Sequence, residues 1–242
     1  MKKLDIIPEE ILQKLKRGDG VSDIHKKALE LIQFGLNLGE FERSVGNCHT
    51  EGVDSIVLFD RSPLRDGMIR FYFARAGSHH LDQLYDTVGN YTVGIHNHRY
   101  NIGIVPLFGE IVNVSTAKAT RLTDSRNQLL YEYQFSSALK KEGLGTALMS
   151  PQMMSPHEEI PLAPGQLHLM RSEDLHTIVV KDKPGLPGAA WMVIEGAHQP
   201  TTPLIYSPRP DLQISTGGLY LPISRPKAIS IAEEVFRLAE KG

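Results

Sequence analysis

The residues of this chain that are best suited to chemistry are three histidines in two short segments. The first segment, Gly94-Ile-His96-Asn-His98, carries two histidines separated by one residue. Alternate side chains of a β-strand point to the same face, so this spacing predicts that both imidazoles can reach one metal ion. The second segment places His176 at the start of an apolar stretch, eleven residues after Gly165. Ordinary surface strands also carry such histidine pairs, and only the combination of the two segments favours a metal site.

The two segments resemble, in their order and internal spacing, the two conserved motifs of the cupin superfamily. The first cupin motif has HxH, a strand and a turn glycine, which here are His96, His98 and Gly109. The second has a glycine-led strand, a loop and a histidine, which here are Gly165 and His176. The resemblance implies a mainly β fold, the cupin double-stranded β-helix or jelly-roll barrel. It also implies that His96, His98 and His176 hold the metal.

The first motif departs from the usual cupin pattern because it lacks a carboxylate ligand. Cupins generally carry a glutamate a few residues after HxH, whereas this chain reads Arg99-Tyr-Asn-Ile-Gly103 there. A set of three neutral imidazoles resembles the three-histidine iron site of the thiol dioxygenases of the cysteine dioxygenase type. The stretch from His96 to Asn101 also resembles an HxHR[FY][DN] pattern of less characterised cupin-like proteins.

The resemblance predicts Fe(II) as the cofactor, with Zn(II), Ni(II) or Mn(II) as alternatives. Three protein ligands leave open coordination positions, which is typical of a catalytic site. Three neutral ligands also leave the charge of the metal uncompensated, so a small anionic, metal-chelating substrate is expected. We therefore predict a non-heme Fe(II) oxygenase or dioxygenase that uses O2. The alternatives are a Zn-, Mn- or Ni-dependent cupin isomerase, lyase or hydrolase, and a non-enzymatic cupin that binds a small ligand.

Four further residues are candidates for contact with a substrate. Tyr100 has the strand parity of the two motif histidines, so we expect it to line the barrel and orient a substrate or dioxygen. Arg70 and Arg171 are candidate substrate ligands, because an arginine inside a barrel commonly binds a carboxylate bidentately. Tyr131 is a third substrate-binding candidate. The alternatives are surface arginines and tyrosines that only pack.

Short strand-like segments rich in β-branched and aromatic residues must position these side chains. They are separated by Gly, Pro, Asp and Ser, which is typical of a sandwich or closed barrel. They read VDSIVLFD, MIRFYFARA, YTVGIHNH, IGIVPLF, EIVNVSTA, QLLYEYQF, GQLHLM, HTIVVK, AAWMVIEG and PLIYSP.

We predict one domain, with a helical extension over 1–44, the barrel over 45–225 and a C-terminal helix over 226–242. In the extension, Pro8 suits the first position of a helix and Ser22 can cap a second helix. The long segment between the two motifs predicts an inserted excursion around residues 136–160.

The composition limits the partners and the cellular compartment to be expected for the protein. The 242 residues carry a formal net charge of −2, which indicates neither nucleic acid nor an anionic membrane as partner. The single cysteine excludes an intrachain disulfide and favours a reducing compartment. No apolar run approaches the roughly 20 residues of a membrane span. We expect a cytoplasmic protein whose partners are a small molecule and O2, and cupins often form homodimers.

Overall fold

The computed structural model describes residues 8–17, 23–50, 52–60, 67–77, 94–120, 125–135, 146–181, 185, 187–208, 210 and 220–241. Within them the fold is mainly β, with two seven-stranded antiparallel sheets and three helices. The helices are α1 (Pro8–Arg17), α2 (Ile24–Leu38) and α3 (Arg225–Ala239).

The strands are short, as their turn-rich sequence predicts. In chain order they are β1 (Val45–Gly46), β2 (Val53–Asp60), β3 (Met68–Arg75), β4 (Ile95–His96), β5 (Tyr100–Phe108), β6 (Glu110–Thr116), β7 (Gln128–Phe135), β8 (Thr146–Met154), β9 (Glu158–Leu162), β10 (His168–Met170), β11 (Leu175–Lys181), β12 (Gly188–His198), β13 (Leu204–Ser207) and β14 (Leu221–Pro222). The first sheet has the order β10-β5-β12-β3-β2-β1-β14, and the second has the order β8-β7-β13-β4-β11-β6-β9.

The strand pairing is that of a double-stranded β-helix. The strand pairs are nested, so that the outermost pair joins β3 to β12 and the innermost joins β6 to β9. Between them, β4 pairs with β11 and β5 pairs with β10. These four pairs alternate between the two sheets. A long antiparallel ribbon is therefore wound into a barrel, which is the jelly-roll architecture that the two motifs predict. The cupin-type fold is confirmed, whereas the domain bounds given above stay a prediction.

The predicted insertion around residues 136–160 falls in the region between β6 and β9. β7 and β8 form an antiparallel pair that extends the second sheet through β13, and β9 pairs with β6. Residues 146–154 and 158–162 are strands, although both contain a proline. Neighbouring strands supply the backbone hydrogen bonds of these two strands, which local propensity does not reveal. Residues 136–145 lie outside the described residues.

The three helices cover the outer face of the first sheet. α1 begins at Pro8 as predicted, and the N-cap of α2 is Asp23, one residue after the predicted Ser22. The Asp23 carboxylate accepts a hydrogen bond from the Lys26 backbone N–H at 2.9 Å. The helices and the sheet share one apolar cluster, which buries Leu12, Ile32 and Phe71. No helix in the described part of the chain is long and apolar enough to cross a membrane.

A second apolar cluster fills part of the barrel interior and joins the two sheets. It contains Ile104 and Trp191 of the first sheet and Ile111 of the second. The turn glycines of both motifs have left-handed backbone conformations, with φ of 82° at Gly109 and 75° at Gly165. A Cβ atom at Gly109 would collide with Ala189, so glycine is required where β5 turns into β6.

Candidate metal centre

Two of the three motif histidines lie directly opposite each other on paired strands. His96 ends β4 and His176 lies near the start of β11, and the antiparallel register pairs these two residues. Paired residues of antiparallel strands project to the same face of the sheet, so both rings enter the barrel. Both residues are buried, with exposures of 7% and 3%. The register of β4 against β11 therefore brings together two histidines that are eighty residues apart in the sequence.

The third histidine reaches the cluster through a turn. β4 ends at His96, and Asn97 anchors the turn because its side-chain Oδ1 accepts the Leu204 backbone N–H at 2.7 Å. The His98 backbone N–H donates to the Ser172 carbonyl at 2.9 Å, which draws the residue toward the loop before β11. Alternation along one strand does not align His96 and His98, because His98 lies outside the strands, in the connection from β4 to β5.

The three imidazoles form a compact group. Their ring centroids are 4.9 Å apart for His96–His98, 4.9 Å for His98–His176 and 5.4 Å for His96–His176. One potential ligand atom from each ring lies within 4.8 Å of the other two. Among the described residues, this is the group of histidine, cysteine and carboxylate side chains that could hold a metal ion, and it contains no carboxylate.

Hydrogen bonds fix the orientation of two of the rings. His96 Nδ1 lies 2.9 Å from the Gly94 carbonyl oxygen, and His176 Nδ1 lies 2.6 Å from Asn113 Oδ1. Both partners are acceptors, so each Nδ1 donates its proton and each Nε2 keeps a lone pair. Outer hydrogen bonds of this kind orient histidines that ligate metals. His98 Nε2 lies 2.7 Å from His176 Nε2, so the two inner nitrogens meet.

Burial keeps these rings neutral. It lowers the pKa of His98 and His176 well below the ordinary value, and the neighbouring His96 lowers both further. Burial also lowers the pKa of His96, against the hydrogen bond to Gly94. A neutral imidazole is the form that binds a metal, so the three residues fit a divalent transition ion.

A buried ion pair occupies the barrel wall on the first sheet. The Arg70 guanidinium lies 2.7 Å from a Glu195 carboxylate oxygen, and it also contacts the Met68 sulfur. Burial raises the pKa of Glu195 even though Arg70 opposes the shift. Arg70 Nε and Glu195 Oε2 are buried, and neither has a hydrogen-bond partner among the described residues. The guanidinium predicted to bind substrate therefore already has a carboxylate of the chain beside it.

The other three candidate residues lie at different places. Tyr100 begins β5 on the first sheet, whereas His96 belongs to the second sheet, and its ring packs edge-on against His198 with centroids 5.6 Å apart. Tyr131 lies on β7, opposite Ser207 of β13, and that strand separates it from β4.

Arg171 has a side chain that is 73% exposed, with ion pairs to Glu173 and Asp174. The structure thus brings neither Tyr131 nor Arg171 into the histidine group, and their substrate-binding roles stay predictions.

Sequence reasoning missed His49, which joins the cluster from a loop. Its ring stacks on His96, with centroids 4.9 Å apart and planes inclined by 21°. Its Nδ1 lies 3.2 Å from the Tyr220 hydroxyl. No motif or periodicity in the sequence marks this residue, which lies in the loop between β1 and β2.

Comparisons with known proteins show a distant structural likeness. No family model and no curated protein matches the chain. Hydroxypropylphosphonic acid epoxidase from S. wedmorenis is 12% identical with a TM-score of 0.32, over 63% of this chain and 53% of the epoxidase. This chain thus spans about half the length of that enzyme.

Two other solved structures are similarly distant. Hydroquinone 1,2-dioxygenase from Sphingomonas sp. TTNP3 is 12% identical with a TM-score of 0.28, over 65% of this chain and 68% of that one. L-ribose isomerase from Cellulomonas parahominis is 14% identical with a TM-score of 0.31, over 71% and 75%. Likeness at this level bears on neither substrate nor reaction.

Proposed function

We propose that this protein is a metal-dependent cupin enzyme, a non-heme Fe(II) oxygenase that acts on a small anionic, metal-chelating substrate with O2. The observation that carries the proposal is the group of three neutral imidazoles, His96, His98 and His176, without a carboxylate among them. Three protein ligands leave room for substrate at the metal, which is the arrangement of catalytic sites.

The charge of such a site favours an anionic substrate. Three imidazoles contribute no negative charge, so a divalent ion would keep both of its positive charges inside a buried cavity. Arg70 and Glu195 neutralise each other at 2.7 Å, so this pair does not supply the missing negative charge. A carboxylate, thiolate or enolate of the substrate would offset that charge directly at the metal.

Iron, when bound, would supply the redox chemistry that activates dioxygen. The chain itself contributes the orientation of the ligands. The Gly94 carbonyl and the Asn113 amide oxygen hold the protons of His96 and His176 on Nδ1, so their Nε2 atoms are available as ligands. Tyr100, half-buried beside His198, is our candidate for orienting the substrate.

The test compares two metals in the same protein. Metal-free protein is loaded anaerobically with Fe(II) or Zn(II), and oxygen consumption is followed with a panel of thiols, amino acids and other anionic chelators. We expect consumption only with Fe(II) and only when one of these molecules is present, since zinc has no accessible redox chemistry. The matched control is the His176→Ala variant carried through the same loading.

Two results would contradict the proposal. Substrate turnover by the zinc form without oxygen consumption would establish Lewis-acid chemistry of the isomerase, lyase or hydrolase type. Tight binding of one panel member in thermal shift experiments, with no turnover by either metal form, would make the protein a ligand-binding cupin.

A further inference from the structure

Strained backbone is concentrated at one point of the described chain, beside the histidine cluster. Asn47, His49 and Tyr220 are its non-glycine residues with positive φ, at 53°, 68° and 55°. They contact one another: the Tyr220 backbone N–H donates to the Asn47 carbonyl at 3.2 Å, and the Tyr220 hydroxyl meets His49 Nδ1 at 3.2 Å. Such conformations are costly for side chains larger than glycine and cluster at functional sites.

The surrounding backbone holds this strained loop in place. The Cys48 backbone N–H donates to the Val53 carbonyl at 2.7 Å, and Asn47 Oδ1 accepts the Gly52 backbone N–H at 2.9 Å. The pairing of β1 with β14 brings Tyr220 to the loop, because it aligns Gly46 with Leu221. The result of this scaffold is to place the His49 ring against His96.

The His49 ring is enclosed by aromatic groups and shares the wall of the metal centre. It stacks on His96 with centroids 4.9 Å apart, and Tyr220 packs edge-on against it at 5.8 Å and 78°. Tyr72 packs at 6.2 Å from the ring on the first sheet. A ring confined in this way has a defined orientation toward whatever occupies the space beside His96.

The contact with Tyr220 selects the tautomer of His49. Burial raises the pKa of Tyr220 well above its ordinary value, so the phenol keeps its proton. A phenol O–H donates more readily than a neutral imidazole N–H, so Tyr220 donates to Nδ1. The proton of neutral His49 is then on Nε2. In the described part of the chain, the side-chain hydrogen bond of His49 is made by Nδ1, which leaves Nε2–H for a ligand.

We propose that His49 donates its Nε2–H to an anionic ligand bound at the His96, His98 and His176 centre, and that Tyr220 is the positioning residue that fixes this tautomer. The inference rests on the proposed metal site and adds to it a recognition element for substrate. It specifies an anion with a hydrogen-bond acceptor atom next to the atom that binds the metal.

The experiment uses Co(II) as the metal and azide as the anion. The full-length wild type and the variants His49→Ala, His49→Gln and Tyr220→Phe are loaded with Co(II), and metal content and affinity are measured. Azide is then titrated against the visible spectrum of the bound Co(II). His25→Gln is the matched control, because His25 lies on α2 and bonds the Ala239 carbonyl.

We expect Co(II) content to be the same in all five proteins. Azide affinity should fall about tenfold to a hundredfold in His49→Ala, as for the loss of a hydrogen bond to a charged group. His49→Gln keeps an N–H donor and should recover most of that loss. Tyr220→Phe should weaken azide binding by a smaller factor, because both tautomers of His49 become accessible. His25→Gln should match the wild type.

Three results would overturn the inference alone. These are azide affinity of His49→Ala within twofold of the wild type, loss of Co(II) from that variant, and a Co(II)-loaded wild type that does not respond to azide. A wild type that binds no Co(II) would instead refute the proposed metal site, and the inference with it.

Discussion

Along the same strands, the inward-facing side chains change from apolar at one end of the barrel to polar at the other. On the second sheet, Ile111 of β6 is paired with Val180 of β11, and four residues further along the same two strands Ser115 is paired with His176. We refer to these ends as the apolar end and the polar end.

The first sheet shows the same change in chemistry. Ala74 of β3 is paired with Ala189 of β12, whereas Arg70 and Glu195 of these strands form the buried ion pair. The side chains of the apolar end contribute stability through burial, which does not depend on protonation. At the polar end, each buried polar group lowers the stability of the fold unless it finds a partner. One barrel thus separates the part that keeps it folded from the part that can bind.

We expect the largest effect from the removal of a metal ligand at the polar end. His176→Ala should abolish binding of a divalent metal, because two imidazoles remain and Asn113 loses its partner. Metal content by elemental analysis after loading and desalting measures this. Far-UV circular dichroism should show the same secondary structure as the wild type, and full metal occupancy in the folded variant would contradict the assignment.

The second effect concerns the ion pair. Glu195→Ala leaves the Arg70 charge buried without a partner, so we expect a loss of about 3–5 kcal/mol in the free energy of unfolding. Denaturant titration measures the loss.

The control for this variant removes both charges. In the double variant Arg70→Met, Glu195→Leu, stability should return to within about 1–2 kcal/mol of the wild type, because no unpaired charge remains. If the single and double variants lose the same free energy of unfolding, the pair stabilises the fold by packing and not by charge.

A weaker effect is expected from the outer hydrogen bond of His176. Asn113→Ala removes the acceptor of the Nδ1 proton, so the ring loses its fixed tautomer. Metal affinity should fall by about 10–100-fold with all three ligands still present. Competition with a chromophoric chelator measures this, and an unchanged affinity would show that packing alone orients His176.

The polar end should also make the metal-free protein sensitive to acid. The pKa values of His98 and His176 are lowered in the folded protein, chiefly by burial. Below about pH 6.5 the unfolded chain therefore binds more protons than the folded one, so stability is lost as the pH falls.

Each such proton contributes a slope of up to about 1.4 kcal/mol per pH unit. Glu195 has a raised pKa and acts in the opposite direction in the acidic range. Denaturant unfolding at pH 7.5, 6.5 and 5.5 measures the dependence, with His98→Gln expected to show a shallower slope. Equal stability at all three pH values would contradict burial of neutral histidines.

The smallest effect is expected at the apolar end. Ile111→Val removes one fully buried methyl group and should cost about 0.5–1.5 kcal/mol in the free energy of unfolding. Metal affinity should stay the same, because Ile111 lies four residues along β6 from Ser115, the residue paired with His176. A change in metal affinity would show that the two ends are mechanically coupled.

The sequence by itself determined the class of fold and the main ligand candidates. The β-branched segments and the turn residues between them predict a sandwich or closed barrel, and the resemblance of the two motifs to those of cupins implies the jelly roll. Pro8 likewise marked the start of α1. These features depend on backbone conformation and periodicity within a few residues, which a sequence displays directly.

Only the tertiary structure decided which side chains meet. His49 reaches His96 from the loop between β1 and β2, and Glu195 neutralises Arg70 across two strands. The strands over 146–154 and 158–162 form because their partners are in place. In each case the contact joins segments that are distant in the chain, and its formation depends on strand register, which no local pattern of residues specifies.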